Sequence, residues 1–208
     1  MTKVRTKICG ITNVADARLA AEAGADAIGM VFYDPSPRAV NIDTAKDIVA
    51  AVGPFVTAVA LFVNPELALV EQVQAQVKPG LLQFHGDEDA AFCEQFGQPY
   101  LKAIRVREDT NLTEATGRFS SASGFIFDAW SKSLYGGTGK TFNWQKLQGY
   151  SGLPLILAGG LTPDNVSEAI SATRPYGVDV SGGVEASPGC KDADKIRQFI
   201  RSVAAING

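Results

Sequence analysis

A cysteine and an aspartate follow two apolar segments that have the composition of β-strands. Cys9 comes directly after Val4–Ile8, and Asp128 comes directly after Gly124–Phe127. A thiolate can remove a proton from carbon, and a carboxylic acid can protonate an oxygen, so the two residues form a candidate base and acid. A place just ahead of a helix N-terminus predicts a lowered pKa for the Cys9 thiol. Partial burial at a strand end predicts a raised pKa for the Asp128 carboxyl.

Each of these residues also has an ordinary structural interpretation. A cysteine is more often a small buried apolar residue than a base, and an aspartate after a strand often caps a loop. Cys93 and Cys190 fall in a predicted helix and in a late loop, so no chemistry is assigned to them. Three cysteines are an odd number, which does not suit a disulfide framework.

Two glycine pairs predict a phosphate site. Gly159 and Gly160 follow the seventh candidate strand, while Gly182 and Gly183 follow the eighth. Bare backbone N–H groups and the N-terminus of a short helix bind phosphate in these two loops of many parallel barrels. One glycine pair would be an ordinary tight turn, but two pairs in these loops favour phosphate binding.

Arg38 and His85 follow the second and fourth candidate strands. Arg38 has the planar fork that binds a substrate carboxylate through two parallel hydrogen bonds, although an exposed arginine without a ligand fits its spacing equally well. His85 is the only histidine and faces the same end of the strands. No cluster of Cys, His and carboxylate residues has ligand spacing, so no metal is expected. The sequence also lacks the glycine fingerprint of a nicotinamide site.

The glycine-rich segment 136–141, GGTGKT, resembles a nucleotide-binding loop only in part. Such a loop requires a glycine five positions before Gly139, and Leu134 stands there. The composition instead predicts a mobile loop that closes over a substrate and excludes water.

The elements that must position these residues alternate along the chain. Short β-branched or apolar runs are separated by segments of helical period, which indicates parallel βα units. The candidate strands are 4–8, 27–32, 55–62, 81–84, 101–106, 124–127, 154–158 and 177–180, and the candidate helices are 14–23, 44–52, 65–77, 90–96, 163–173 and 193–205. Eight units with no leftover segment favour a closed (β/α)₈ TIM barrel over an open doubly wound sheet.

Helix start and stop signals support this division. Gly24 follows the first helix, where a left-handed cap favours glycine. Pro163 suits the first position of a helix. The candidate N-caps are Thr12 or Asn13, Asp43, Asn64, Asp87 and Thr162.

Composition and charge narrow the class of ligand. The 208 residues are 46% hydrophobic, which predicts one domain over 1–208. The formal net charge of −3 comes from 19 basic and 22 acidic residues without long runs, so neither nucleic acid nor a membrane is an expected partner. The N-terminal segment has no secretory pattern, and a cytoplasmic protein is expected. We therefore expect a small phosphorylated ligand, and a monomer or a homodimer.

The order of these motifs resembles the phosphoribosylanthranilate isomerase family of tryptophan biosynthesis over nearly the whole chain. The segments that carry the resemblance are KICGIT at 7–12, SPR at 36–38, QFHG at 83–86, FDA at 127–129, GGTG at 136–139, LAGGLTPDNV at 157–166 and VDVSGGVE at 178–185. At three positions this chain departs from the family's usual residues. Phe84 stands where leucine is usual, Asn143 where aspartate is common and Gly182 where serine is frequent.

The resemblance implies an Amadori rearrangement that needs no cofactor. N-(5-phosphoribosyl)anthranilate would become 1-(2-carboxyphenylamino)-1-deoxyribulose 5-phosphate, with Cys9 as general base, Asp128 as general acid and Arg38 on the anthranilate carboxylate. The two glycine pairs would hold the phosphate. Two alternatives remain: another phosphate-binding barrel of tryptophan biosynthesis, such as an indole-glycerol-phosphate synthase or a tryptophan synthase α subunit, or a barrel that binds a phosphorylated ligand without catalysis.

Overall fold

A closed barrel of eight parallel strands forms the centre of the computed structural model, which describes residues 3–129 and 143–207. The barrel strands are Arg5–Cys9 (β1), Ala27–Phe32 (β2), Thr57–Phe62 (β3), Leu81–Phe84 (β4), Tyr100–Val106 (β5), Gly124–Ala129 (β6), Leu155–Leu157 (β7) and Gly177–Val180 (β8). Each strand pairs in parallel with the next, and β8 closes the ring by pairing with β1. The predicted (β/α)₈ barrel is therefore confirmed.

Small shifts of the strand boundaries matter for the candidate site. Cys9 is the last residue of β1, and Asp128 lies inside β6, one residue before its end, so both belong to strands and not to the loops after them. The prediction that β3 begins at Phe55 was wrong: the strand begins at Thr57, and Phe55 is 97% exposed.

Helices connect most of the strands on the outside of the barrel. The α-helices of the described residues are Val14–Ala23 (α1), Ile42–Val52 (α2), Leu67–Val77 (α3), Ala90–Glu94 (α4), Leu112–Gly117 (α5), Val166–Thr173 (α6) and Ala193–Asn207 (α7). Two 3₁₀ helices, Trp144–Leu147 and Gly182–Val184, precede β7 and follow β8. The prediction missed α5 and the short hairpin Glu185–Ser187 (β9) and Cys190–Lys191 (β10).

Several predicted helix starts were wrong by two or three residues. The first helix is capped as predicted by Asn13, whose side chain accepts a hydrogen bond from Asp16 N, and Gly24 ends it with φ of 101°. Elsewhere the N-caps are Asn41, Glu66, Asp89 and Asn165 in place of the predicted Asp43, Asn64, Asp87 and Thr162. Pro163 lies in the turn before α6 and not at its first position. Asn143, which stands where aspartate is common, caps the next helix by accepting a hydrogen bond from Gln145 N.

The helices pack on the barrel through apolar residues spaced three or four apart. In α3, for example, Val70, Val73 and Val77 are all buried and lie on one face of the helix. The strands have two buried faces, because parallel barrels place helices outside and side chains inside. Outward residues such as Ile28 join the large core cluster, and inward residues such as Ile126 join a smaller cluster inside the barrel.

Phe84, which departs from the usual leucine, faces the helices and not the barrel interior. Its ring stacks on Phe62 at 6.0 Å and on Phe96 at 5.8 Å between centroids. The larger residue therefore fills an aromatic cluster under α4 and does not alter the candidate site. In the part of the chain that the structure describes, we find no helix long and apolar enough to cross a membrane.

Candidate active site

A cavity of about 640 Å³ opens at the carboxyl ends of the barrel strands. This volume suits a small phosphorylated ligand. The cavity is lined by all eight residues that the sequence singled out, Cys9, Arg38, His85, Asp128, Gly159, Gly160, Gly182 and Gly183. Residues from the ends of β1, β2, β4, β6, β7 and β8 thus meet at one mouth, as the barrel topology requires. The predicted loop at 136–141 lies outside the described residues.

Cys9 points into the barrel because its position in β1 is inward. Its side chain is 6% exposed and packs with Val31 and Leu61. The facing residue on β2 is Gly29, where an added Cβ would lie 2.7 Å from Cys9 Sγ and 3.1 Å from Lys7 Cε. The absence of a side chain at Gly29 therefore makes the room that the thiol and the lysine occupy.

The predicted lowering of the Cys9 pKa was wrong. Burial raises the pKa of the Cys9 thiol, and the carboxylate of Asp179 raises it further, while Lys7 and Lys191 oppose both effects. The expected helix effect is missing because α1 begins only at Val14, where the side chain of Asn13 already caps it. A thiol with a raised pKa is a weaker acid but, once deprotonated, a stronger base.

Lys7 and Asp179 form an ion pair beside Cys9. The Lys7 ammonium lies 2.9 Å from each oxygen of the Asp179 carboxylate, and both side chains are less than 10% exposed. Burial alone would lower the pKa of Lys7, but Asp179 and the neighbouring Cys9 outweigh it and raise that pKa. The lysine therefore carries a positive charge inside the barrel next to the candidate base.

Two groups hydrogen-bond Asp128 directly, and a third holds one of these two in place. Its Oδ1 accepts a bond of 2.8 Å from Ala129 N, and its Oδ2 lies 3.1 Å from His85 Nε2. The other ring nitrogen, Nδ1, lies 2.9 Å from the amide nitrogen of Gln83. With that amide as donor, His85 is protonated on Nε2 and donates to the carboxylate. Among the described residues, no group bonds the buried Gln83 Oε1.

The glycines after β7 and β8 allow the two loops to approach closely. Gly159 and Gly160 have φ of +84° and +64°, and a Cβ on Gly159 would lie 2.5 Å from Ala129 N. The loop after β7 is tied down by Asn165, whose amide nitrogen donates to the Gly160 carbonyl at 2.9 Å. Gly182 begins the 3₁₀ helix that follows β8.

Gly183 packs tightly against the loop after β7. A Cβ at this position would lie 1.8 Å from the Leu161 carbonyl oxygen, so alanine must push the two loops apart. We expect Gly183→Ala to lower the free energy of unfolding by about 1–3 kcal/mol and to weaken binding of inorganic phosphate. Urea unfolding and phosphate titration measure both effects. The matched control is Gly117→Ala at the end of α5, where an added Cβ meets no atom within 4 Å. Equal stability of the two variants would contradict the prediction.

Arg38 reaches the cavity but already has a buried carboxylate partner. Its Nε and Nη2 each donate to Glu185 at 2.7 Å, a bidentate pair that the sequence prediction did not include. Nη1 and the second hydrogen of Nη2 are not used by this pair, so a further carboxylate has donors to bind. Hydrogen bonds to Glu185 raise the pKa of Arg38 despite its partial burial.

Glu185 also binds Lys191, whose ammonium lies 2.9 Å from Oε1, the oxygen that also accepts a hydrogen bond from Arg38 Nε. Burial would raise the pKa of Glu185, but Arg38 and Lys191 lower it below its ordinary value. Burial lowers the pKa of Lys191 itself. The hairpin of β9 and β10 thus brings a carboxylate and an ammonium group to the rim of the site.

Sequence reasoning missed four charged residues at this site, namely Lys7, Asp179, Glu185 and Lys191. A signal for two of them was present. Lys7 lies two positions before Cys9 and therefore shares its inward face, and Asp179 is a charge in the middle of an apolar strand. In the described part of the chain, no group of three or more His, Cys, Asp and Glu residues is placed to hold a metal ion.

Comparisons with known proteins agree on one family. Residues 6–202 match the model of the family described as N-(5'phosphoribosyl)anthranilate (PRA) isomerase. The chain is 56% identical over 200 residues to the N-(5'-phosphoribosyl)anthranilate isomerase of Neisseria meningitidis serogroup A, covering 96% of each chain.

Solved structures give the same result. The phosphoribosyl anthranilate isomerase of Thermotoga maritima superposes with a TM-score of 0.90 at 37% identity, covering 97% of this chain and 99% of that one. A structure of such an isomerase in complex with reduced 1-(o-carboxyphenylamino)-1-deoxyribulose 5-phosphate matches at 37% identity, a TM-score of 0.85 and the same coverage. A further Thermotoga structure, described as mutually generated monomers of the dimeric protein, matches at 36% identity, 97% and 99% coverage and a TM-score of 0.86.

Proposed function

The chain belongs to the N-(5'-phosphoribosyl)anthranilate isomerase family of tryptophan biosynthesis, and on that premise we propose how it rearranges its substrate. N-(5-phosphoribosyl)anthranilate becomes 1-(2-carboxyphenylamino)-1-deoxyribulose 5-phosphate, with Asp128 as general acid and Cys9 as general base. The observation that carries this proposal is the single cavity lined by both residues, by both glycine pairs and by Arg38.

Asp128 opens the ribose ring by protonating the ring oxygen. The C–O bond to the anomeric carbon breaks, and the nitrogen lone pair forms the Schiff base. The hydrogen-bonded series from Gln83 through His85 can pair with Asp128 both in its protonated and in its deprotonated form. If the Gln83 amide turns over, Oε1 accepts from Nδ1 of the histidine, and Nε2 then accepts from a protonated Asp128. That arrangement also gives the buried Oε1 a partner.

Cys9 then removes the proton from C2 of the opened sugar. The C–H electron pair moves toward the Schiff base and gives an enolamine, which becomes the ketone product when C1 gains a proton and the C2 hydroxyl loses its proton. The deprotonated thiol is buried beside two ammonium groups, Lys7 and Lys191, which favour its negative charge. No cofactor has a part in these steps.

The remaining contacts orient the two ends of the substrate. The phosphate binds the backbone N–H groups of the loops after β7 and β8, whose glycine pairs line the cavity. The anthranilate carboxylate binds the donors of Arg38 that Glu185 does not use. Aromatic and apolar side chains that line the cavity, such as Tyr33, Pro35 and Leu61, suit the aromatic ring.

Replacing Arg38 tests the carboxylate contact. We expect Arg38→Met to raise KM by about 10- to 100-fold, because charge-assisted hydrogen bonds of the bound substrate are lost, with a smaller change in kcat. Steady-state kinetics measure both constants. Arg38→Lys keeps the charge but not the fork, and we expect it to restore little of the loss. An unchanged KM in both variants would show that another group binds the carboxylate.

The experiment that tests the function is fluorescence decay of freshly made phosphoribosylanthranilate after the purified protein is added. We expect rapid decay and a product of unchanged mass. A barrel that only binds phosphorylated ligands would bind the substrate without any decay. An indole-glycerol-phosphate synthase would instead consume 1-(2-carboxyphenylamino)-1-deoxyribulose 5-phosphate. Supplying that compound separately therefore distinguishes such a synthase from the isomerase.

The proposal also covers the domain organisation, the compartment and the assembly state of the protein. We infer one catalytic domain over 1–208, which is supported by the described residues: the barrel strands run from Arg5 to Val180, and α7 packs on β1. The free thiols, including the exposed Cys190, suit a reducing compartment such as the cytoplasm. Of the two expected assembly states, the homodimer is supported by the dimeric Thermotoga relative and by the exposed Phe55.

A further inference from the structure

Four charged groups lie near the Cys9 thiol. Lys7 on β1, Asp179 on β8 and Lys191 on β10 all influence the thiol electrostatically, and Arg38 after β2 does so from the rim. On the remaining sides Cys9 packs against uncharged residues of β2 and β3, while Asp128 and His85 line the same cavity from β6 and β4. Of these groups, Lys7 is the ammonium that enters the barrel from the same strand and the same face as the thiol, and a Cβ on Gly29 would lie 3.1 Å from its Cε and 2.7 Å from Cys9 Sγ.

The position of Lys7 is fixed from two directions. It lies two residues before Cys9 on the same strand, so both side chains enter the barrel on the same face. Gly29 on β2 leaves the space for both, and the two oxygens of Asp179 on β8 hold the ammonium at 2.9 Å each. The lysine therefore binds a carboxylate partner and lies beside the proposed base at once.

A buried ion pair made only for stability has no need of this arrangement. Lys102 and Glu88 show the contrast within the same barrel. The Lys102 ammonium donates to Glu88 at 3.0 Å and to the Gly86 carbonyl at 2.7 Å, so backbone and carboxylate groups surround it. For Lys7, in contrast, the second neighbour is a thiol that gains a negative charge in the proposed reaction.

We propose that Lys7 is a positioning residue that stabilises the thiolate of Cys9, and that Asp179 limits this effect by sharing the ammonium. The proposal deepens the proposed function and rests on the role of Cys9 as base. Lys7 keeps its proton throughout, so the thiol proton leaves to solvent and the ammonium acts only through its charge. When Cys9 takes the proton from C2, Lys7 returns to pairing with Asp179 alone.

The test is a titration of the Cys9 thiol without substrate. Iodoacetamide alkylation is followed by mass spectrometry as a function of pH, in a background that carries Cys190→Ser. Cys93 does not interfere, because burial raises its pKa to about 12. We expect Lys7→Met to raise the pKa of Cys9 by about 1 or more and Lys7→Arg to keep it near the parent value. Asp179→Asn should lower it, since it removes a nearby negative charge.

The Cys9 pKa is expected to rise in Lys7→Met and to fall in Asp179→Asn, and these opposite directions separate charge stabilisation from a merely structural role. Disruption of the barrel would move the Cys9 titration in the same direction in the Lys7 and Asp179 variants. Lys102→Met, the control for loss of a buried ammonium, should leave the Cys9 titration unchanged. If Lys7→Met does not fold, Asp179→Asn and Lys7→Arg still decide the question. An unchanged or raised pKa of Cys9 in Asp179→Asn would overturn the proposal.

Because no substrate is present, this result does not depend on the proposed function. Failure of the wild-type protein to consume phosphoribosylanthranilate would overturn the function and leave the thiol titration as measured. Normal turnover together with an unmoved thiol titration in every variant would overturn only the role of Lys7. The two failures are therefore distinguishable.

Discussion

Replacing Cys9 by serine is expected to lower kcat by about 10²- to 10⁴-fold with a much smaller change in KM. Serine keeps the size of the side chain, but its hydroxyl is a far weaker acid and does not supply a base at neutral pH. The phosphate loops and Arg38 remain in place, so binding of the ground state persists. Steady-state kinetics with freshly made phosphoribosylanthranilate measure the loss.

The matched control is Cys190→Ser. Cys190 is an exposed free cysteine on β10, and it does not line the cavity. We expect its replacement to leave kcat and KM unchanged. Near-normal turnover in the Cys9 variant, or an equal loss in both variants, would remove the thiol from the mechanism.

Asp128→Asn is expected to cause a loss of similar size, about 10²- to 10⁴-fold in kcat. An amide has nearly the same shape, so it still faces Ala129 N and His85. It has no acidic proton to give to the ring oxygen, and the ribose therefore opens slowly. Circular dichroism and thermal unfolding should show that the fold survives.

An exposed carboxylate serves as the control for Asp128. Asp43 lies in the first turn of α2 and pairs only loosely with Lys46, at 3.4 Å. Exposed pairs of this kind contribute little to stability, so Asp43→Asn should leave activity unchanged. If Asp128→Asn retained the parent kcat, the ring would have to open without this acid.

The sequence predicted which residues meet at the site because the barrel topology fixes their positions. Strand order and inward register place Cys9 and Asp128 at one rim once both are assigned to strand ends. The alternation of strand residues also places Lys7 on the same face as Cys9, but no role was assigned to Lys7 from the sequence. A charge that faces the barrel interior is costly without a partner, so Lys7 in itself indicated that an opposite charge lies nearby.

Other features depended on contacts that the local sequence does not contain. The pKa of Cys9 is set first by burial and then by charged groups on β1, β8 and β10, so its helix-based prediction failed. The pairing of Arg38 with Glu185 joins residues far apart in the chain. In contrast, α5 had a local signal: Asn111 caps Glu114 N, a spacing typical of helix starts.

The most direct test of the account is a crystal structure of this protein with the reduced product analogue, 1-(o-carboxyphenylamino)-1-deoxyribulose 5-phosphate in reduced form. We predict Cys9 Sγ within about 3.5 Å of C2 and the Asp128 carboxyl within about 3.2 Å of the former ring oxygen. The phosphate should contact the loops of Gly160 and Gly183. An analogue bound with C2 turned away from Cys9, or with the former ring oxygen out of reach of Asp128, would contradict the proposed acid and base.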